Sequence, residues 1–206
     1  MVSLVPVWLR PVSALRRRAA AADRAVLTRL AATDSATLDA VMPRLSQAAN
    51  HSVLWLCAAA ALAVTGRRAR RAALRGLAGI AIASTASNVL AKGVAGRPRP
   101  DIPVPPARRL ARGVRTTSFP SGHSASAAAF AAGTALELPV LAVPAGALAA
   151  AVGASRVATG VHYPSDVLAG FAIGAASALL TLPWWPRPSR QAPSPAPARV
   201  PPGASP

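Results

Sequence analysis

Five long apolar stretches separated by arginine clusters and loops constrain this 206-residue chain more than any other feature. They are Ala48–Thr65, Leu77–Ala91, Ser124–Leu138, Pro139–Gly153 and Val167–Leu182, the last closed by Trp184 and Trp185. A membrane-spanning helix needs ~20 mostly apolar residues at ~1.5 Å each. These stretches run to about 15–18 residues and are rich in alanine, which is only weakly favourable in lipid. A soluble alanine-rich bundle is therefore the competing reading. Three features weigh for the membrane. Arg67, Arg68, Arg70, Arg71 and Arg75 crowd the gap between the first two stretches, as in a cytoplasmic loop. The Trp184-Trp185 pair sits where a helix would leave the hydrocarbon. Charges are nearly absent inside the stretches, and Glu137 falls at the Leu138-Pro139 break, which reads as a tight turn. The expected fold is all-α: a multi-pass transmembrane bundle of about five spanning helices plus an N-terminal interfacial helix.

Composition removes other classes. Hydrophobic residues make up 52% of the chain, too many for a wholly disordered protein. Cys57 is the one cysteine, so a disulfide framework is excluded, and its apolar neighbours imply plain packing. Aromatic residues are 4%, too few for a β-sandwich. The net charge of +17 would suit nucleic acid, but the arginines flank apolar runs and lack interleaved aromatic partners. Membrane flanks and an anionic substrate explain them better.

Along the chain, residues 1–23 read as a basic, flexible start. Arg16–Arg18 are followed by alanines and Asp23, which does not fit a signal peptide. Residues 24–182 form the membrane domain. Within it, 24–48 is an amphipathic helix too charged to span, broken or capped near Asp34-Ser35, and 48–182 is the spanning bundle. Residues 183–206 hold nine of the 21 prolines and read as a disordered tail.

Rare residue types mark a site. The chain has 22 arginines but one lysine, Lys92, and three histidines, His51, His123 and His162. Lys92, His123 and His162 fall at the ends of apolar stretches that alternating helices would bring to one face. With the 66–76 segment inside, that face is the outer one. The equally basic 92–120 loop then serves anion binding rather than topology. Lys92 to Arg99-Pro100 supplies an ammonium and a guanidinium. Ser118-Phe119-Pro120-Ser121-Gly122-His123 is a turn entering a helix, where backbone N–H groups, a hydroxyl and a glycine bind phosphate well. Arg99 and Arg156 can each grip phosphoryl oxygens with a fork of donors. Asp166, four residues after His162 and just past Pro164 at a helix start, is within reach of a ring nitrogen and would fix the imidazole tautomer. His51 reads as an interfacial polar residue. No three ligands share a metal-binding spacing, so no metal or other cofactor is expected.

Taken together, these segments resemble the tripartite signature of the type 2 phosphatidic acid phosphatase superfamily, K-x6-R-P, P-S-G-H and S-R-x5-H-x3-D. Here it reads Lys92 to Arg99-Pro100, Pro120-Ser121-Gly122-His123, and Ser155-Arg156 to His162 and Asp166, over about residues 50–182. The chain looks especially like small bacterial membrane members acting on polyprenyl or glycerolipid phosphates. The resemblance implies that His162 is a nucleophile forming a phosphohistidine, that Asp166 orients and polarises it, and that His123 is the general acid. It implies that Lys92, Arg99, Arg156, Ser121 and Gly122 bind the phosphoryl oxygens without a metal, on the extracytoplasmic face of the cell membrane. The expected partners are a lipid phosphate and the bilayer. Two alternatives stand beside it: a vanadate-dependent haloperoxidase, and a catalytically silent membrane scaffold or anionic-lipid-binding protein.

Overall fold

The computed structural model of the chain describes residues 10–93, 97–108, 110 and 117–186, with the side chains of 10–13, 90–93 and 106 outside that description. Its described residues hold seven α-helices: α1 (Arg10–Ala32), α2 (Ala36–Ala48), α3 (Val53–Ala63), α4 (Arg67–Gly93), α5 (Gly122–Glu137), α6 (Ala142–Ala158) and α7 (Pro164–Leu179). Single turns of 3-10 helix occur at Asn50–Ser52, Pro106–Arg108 and Pro139–Leu141.

Helix ends and hydropathy ends differ for a physical reason. The arginine cluster expected as a loop is helical, since α4 begins at Arg67, ten residues before the apolar run. Only the short 64–66 connection separates α3 from α4, with Gly66 at φ +143° making the turn. Arginine is a good helix former, so charges that end an apolar window do not end a helix. The same holds for Arg16–Arg18, which lie inside α1, so the chain is helical from Arg10 and the break expected at residue 23 is absent. The real break is at 33–35, where Ser35 Oγ accepts the Leu38 N–H at 3.3 Å and starts α2. Beyond Pro186 the proline-rich tail lies outside the described residues, as do residues 1–9.

Helix α5 is the axis of the bundle, packed on α4, α6 and α7, while α3 packs on α4. Ten of its 16 residues are buried, mostly Ala, Ser and Gly, so contact comes from close backbones rather than large side chains. A Cβ added at Gly133 would lie 2.9 Å from the Gly76 Cα, and one at Gly174 would lie 2.8 Å from the Ala129 N. Trp55 and Phe130, with ring centroids 5.3 Å apart, fill the seam between α3 and α5.

Outward the pattern inverts. Val64, Val143 and Leu168 are 86%, 81% and 67% exposed, while Arg108, Arg156 and Asp166 are buried. Apolar outside with paired polar groups inside is the arrangement a lipid solvent favours. Among the described residues, Pro139–Ala158 is the helical run both long and apolar enough to cross a bilayer, and Asn50–Ala63 and Pro164–Leu179 are shorter apolar helices. Cys57 is exposed on α3 rather than packed inside, because it falls on the helix's outward side.

Two arginine staples hold the ends. At one end, buried Arg75 donates to Glu137 Oε1 and to Thr181 Oγ1, both at 2.9 Å, and lies over the Trp185 ring. Arg71 adds a 3.2 Å pair to Glu137 Oε2. Glu137 thus ties α4 to α5 as well as ending α5. At the opposite end, fully buried Arg108 donates to the Leu30 and Thr33 carbonyls and to Asp39, pinning the α1–α2 corner. The Arg108 charge is therefore structural, and not part of the anion-binding loop expected at 92–120. Leu27 of α1 packs against Val157 and Val167, so the N-terminal helices lie against the bundle where α6 ends and α7 begins.

Candidate active site

Antiparallel packing brings the C-terminal ends of α4 and α6 and the N-terminal ends of α3, α5 and α7 to one end of the bundle. Buried His162 sits there, in the turn between α6 and α7. Its Nδ1 is 2.7 Å from the Ser118 carbonyl oxygen. A carbonyl can only accept, so Nδ1 carries the proton and Nε2 keeps its lone pair. Arg99 Nη1 stands 3.4 Å from that Nε2, and its guanidinium is braced by the Val161 carbonyl and by the Thr117 carbonyl at 3.2 Å.

The expected carboxylate also faces Nδ1, from farther away. Asp166 Oδ2 is 3.7 Å from His162 Nδ1, too far for a hydrogen bond though close enough for its charge to act. That oxygen instead accepts the Tyr163 backbone N–H at 2.9 Å, closing the first turn of α7 behind Pro164. Its other oxygen accepts from Arg97 at 2.7 Å. Arg97 reaches on to Asp23 Oδ2 of α1 at 2.8 Å and lies 3.8 Å above the Tyr163 ring. Ser165 completes the cluster, its N–H and Oγ both bonded to Asp23, at 2.9 and 2.6 Å.

Arg156, near the end of α6, is almost fully buried and donates to Ser46 of α2. Its Nε is buried without a hydrogen-bond partner, and such a donor is costly unless a ligand satisfies it. His123 is the second residue of α5, with its Nε2 2.8 Å from Asn50 Oδ1. Arg156, His162 and Arg99 all lie close enough to act electrostatically on its ring. The Ser121 hydroxyl is fully buried and accepts from the Ser124 N–H and Oγ, at 3.4 and 2.9 Å. Ala125 N–H goes to the Ser121 carbonyl. The Gly122 and His123 N–H groups, first in the helix, are those left to meet an anion. A Cβ at Gly122 would touch nothing within 4 Å, so that backbone faces open space.

Of the expected site residues, His162, Arg99, Asp166, Arg156 and His123 converge, and Ser121 and Gly122 build the helix start beside them. The Lys92 backbone lies in the last turn of α4, and its side chain lies outside the described residues. Sequence reasoning missed Ser118, Arg97, Asp23, Asn50 and Ser46. The R-P-R-P doublet at 97–100 was the one available signal, for Arg97.

Burial pushes the His162 imidazole below its ordinary value near 6.5, and the charges of Arg99 and Arg156 push the same way, against the opposing pull of Asp166. A lowered value keeps Nε2 unprotonated as pH falls. On falling pH, kcat/KM should therefore hold through 6.5 and decline only below it. A pH–rate profile with its acid limb centred above that value would contradict this electrostatic reading.

The chain is similar to known proteins. The family model described as the PAP2 superfamily matches residues 72–190. The decaprenylphosphoryl-5-phosphoribose phosphatase of Mycobacterium tuberculosis is 39% identical over 166 residues, covering 75% of this chain and 87% of that protein. A lipid A 1-phosphatase of Rhizobium johnstonii is 53% identical over 64 residues, 31% of this chain and 26% of that protein. Among solved structures, the transmembrane PAP2-type phosphatidylglycerolphosphate phosphatase of Bacillus subtilis superposes with a TM-score of 0.61 at 27% identity, covering 79% of this chain and 83% of that one. The fold is shared as well by Aquifex aeolicus LpxE, at TM-score 0.62 and 22% identity, covering 76% and 92% of the two chains.

Proposed function

The chain belongs to the PAP2 superfamily of membrane lipid phosphatases, and on that premise we propose how it works and on what. It removes a terminal phosphate from a lipid phosphate or diphosphate, with a polyprenyl or glycerolipid carrier, through a phosphohistidine. The observation that carries this reading is the His162 imidazole, locked by the Ser118 carbonyl so that Nε2 faces the Arg99 guanidinium.

The steps balance as follows. His162 Nε2 attacks phosphorus and the bond to the leaving oxygen breaks. His123 protonates that oxygen; with Nε2–H held by Asn50, the proton it gives is the one at Nδ1. Arg99, Arg156, Lys92 and the α5 N–H groups of Gly122 and His123 hold the three non-bridging oxygens as their charge redistributes. The phosphorylated imidazole is cationic, and Asp166 at 3.7 Å stabilises it. His123 then takes a proton from water, whose oxygen displaces Nε2 and releases inorganic phosphate. Fixed cations do the charge neutralisation that a divalent ion does elsewhere.

Helices α3 to α7 are read as the five spanning elements. Exposed Val53, Leu56, Val140, Val143 and Leu168 support this, as does the transmembrane Bacillus relative. The arginines that open α4 then lie on the cytoplasmic side, and the site at its other end faces outward. α1 and α2 rest at the membrane interface on the site side. The test is phosphate release from lipid phosphates by the detergent-solubilised chain, with and without chelator. Turnover indifferent to EDTA is expected, and a rate abolished by chelation and restored by a divalent ion would overturn the mechanism.

A further inference from the structure

Helix α1 carries a face that no described residue covers. Leu15, Ala19, Ala22 and Val26 stand at i, i+4, i+7 and i+11 and so form one stripe along the helix; all four are exposed, Leu15 at 69%. Arg16, Arg17, Arg18, Arg24 and Arg29 are exposed as well, and none of the ion pairs among the described residues engages them. The one acid of this helix, Asp23, is buried with Leu27 on the side turned to the bundle. We propose that α1 docks on the bilayer surface around the site, that anionic phospholipid headgroups are its partner, and that docking supports turnover through Asp23. This inference rests on the phosphatase reading above and adds a regulation to it.

Position is the first argument. α1 packs where α6 ends and α7 begins, at the end of the bundle that holds the site. An apolar stripe held at that level meets the boundary between acyl chains and headgroups. Charge is the second. Arg18 and Arg29 each follow a stripe residue by three and so line one edge of it, and Arg17 and Arg24, seven apart, share the face beyond that edge. Apolar side chains followed by cations match acyl chains followed by phosphate groups. A soluble polyanion would satisfy the arginines but leave the stripe in water. Each arginine near an anionic membrane surface strengthens binding about fivefold, a gain that a zwitterionic surface does not offer.

Connection to the site is the third argument. On the reverse face of α1, Asp23 accepts from the Ser165 N–H and Oγ and from Arg97. Arg97 also holds Asp166, the carboxylate that faces His162. Docking that settles α1 therefore settles Asp166 through one shared cation.

The test uses the full chain in lipid nanodiscs, whose two faces are both open to solvent, made of phosphatidylcholine alone or with phosphatidylglycerol. The substrate is a short-chain alkyl phosphate that dissolves as monomers, so the surface does not concentrate it. Wild-type kcat should be about fivefold or more higher with phosphatidylglycerol. A polarity-sensitive dye on Ala22→Cys, in a Cys57→Ser background, should shift to the blue with phosphatidylglycerol, and added salt should weaken the shift. Arg17→Gln, Arg18→Gln, Arg24→Gln and Arg29→Gln combined leave the core untouched. That variant should keep the rate seen in phosphatidylcholine and lose both the dye shift and the gain in kcat. Asp23→Asn should keep the dye shift and lose the gain. Wild-type kcat unchanged by phosphatidylglycerol overturns the proposal while leaving the phosphatase reading intact, and so does a gain that persists in the arginine variant. A gain that persists in Asp23→Asn overturns the route through Asp23. No phosphate release in either nanodisc overturns the phosphatase reading itself, whereas the dye shift tests docking independently of turnover.

Discussion

On the proposed mechanism, replacing His162 by alanine should lower kcat by on the order of 10⁴-fold or more, as the loss of a covalent nucleophile does. The fold should survive. The truncation leaves the buried Ser118 carbonyl without its partner, a cost of about 1–3 kcal/mol that a stable bundle can absorb. Helicity and melting temperature of the detergent-solubilised variant check that point. His123→Ala makes the comparison that separates the two roles. A general acid contributes about 10²–10⁴-fold, and less when the leaving oxygen needs no proton. A nitrophenyl phosphate should therefore rescue the first step of the His123→Ala variant, seen as a burst of nitrophenol, while hydrolysis of the phosphohistidine stays slow, and it should rescue nothing in His162→Ala. Brief exposure to labelled substrate, quenched in alkaline detergent, should leave base-stable, acid-labile label on the wild type and none on His162→Ala. Near wild-type turnover by His162→Ala would remove the mechanism.

How much of this was legible in the sequence depends on how far apart the cooperating residues lie. His123, His162, Arg99 and Arg156 could be found because each sits in a short segment whose residue types make sense for phosphate, and because the segments close apolar runs. Bundle geometry then brings them together. Hydropathy placed the α5, α6 and α7 runs within a few residues, yet misplaced the starts of α1 and α4. There the signal was loss of hydrophobicity, whereas helix continuity depends on backbone propensity, which arginine and alanine both satisfy. Asp166 was legible only in part. Four-residue spacing pointed to His162, and the two stand 3.7 Å apart, but Asp166 also opens α7, where its carboxylate turns back to the Tyr163 N–H and outward to Arg97. The link from Arg97 to Asp23 crosses 74 residues and three helices, and no local pattern announces such a pair.

That cluster carries the second large effect. Arg97→Met keeps most of the side-chain stem and removes the charge, leaving Asp23 and Asp166, 3% and 0% exposed, without their shared cation. Arg97 is itself partly exposed, so the cost falls between the ~0–1 kcal/mol of a surface pair and the ~3–5 kcal/mol of a fully buried one, and here two buried carboxylates lose their cation. Acid sensitivity should change in a defined direction. Burial alone would raise the Asp23 carboxyl, but hydrogen bonds from Ser165 and Arg97 outweigh it and hold the group below its ordinary 3.8. A lowered folded value contributes stability above 3.8 that disappears as pH falls through the folded value. Without Arg97, burial is opposed by Ser165 alone, so the carboxyl rises and stability drains away at higher pH than in the wild type. Turnover should fall as well, because Asp166 is then free to leave its place beside His162, and an error of ~1 Å in a site can cost ~10²-fold. Melting curves from about pH 4 to about pH 8, together with kcat and KM at neutral pH, test both parts. Arg97→Met with unchanged melting and unchanged kcat would show that α1 merely rests on the bundle. The expected outcome ties Arg97, which joins Asp166 to Asp23 of α1, to catalysis.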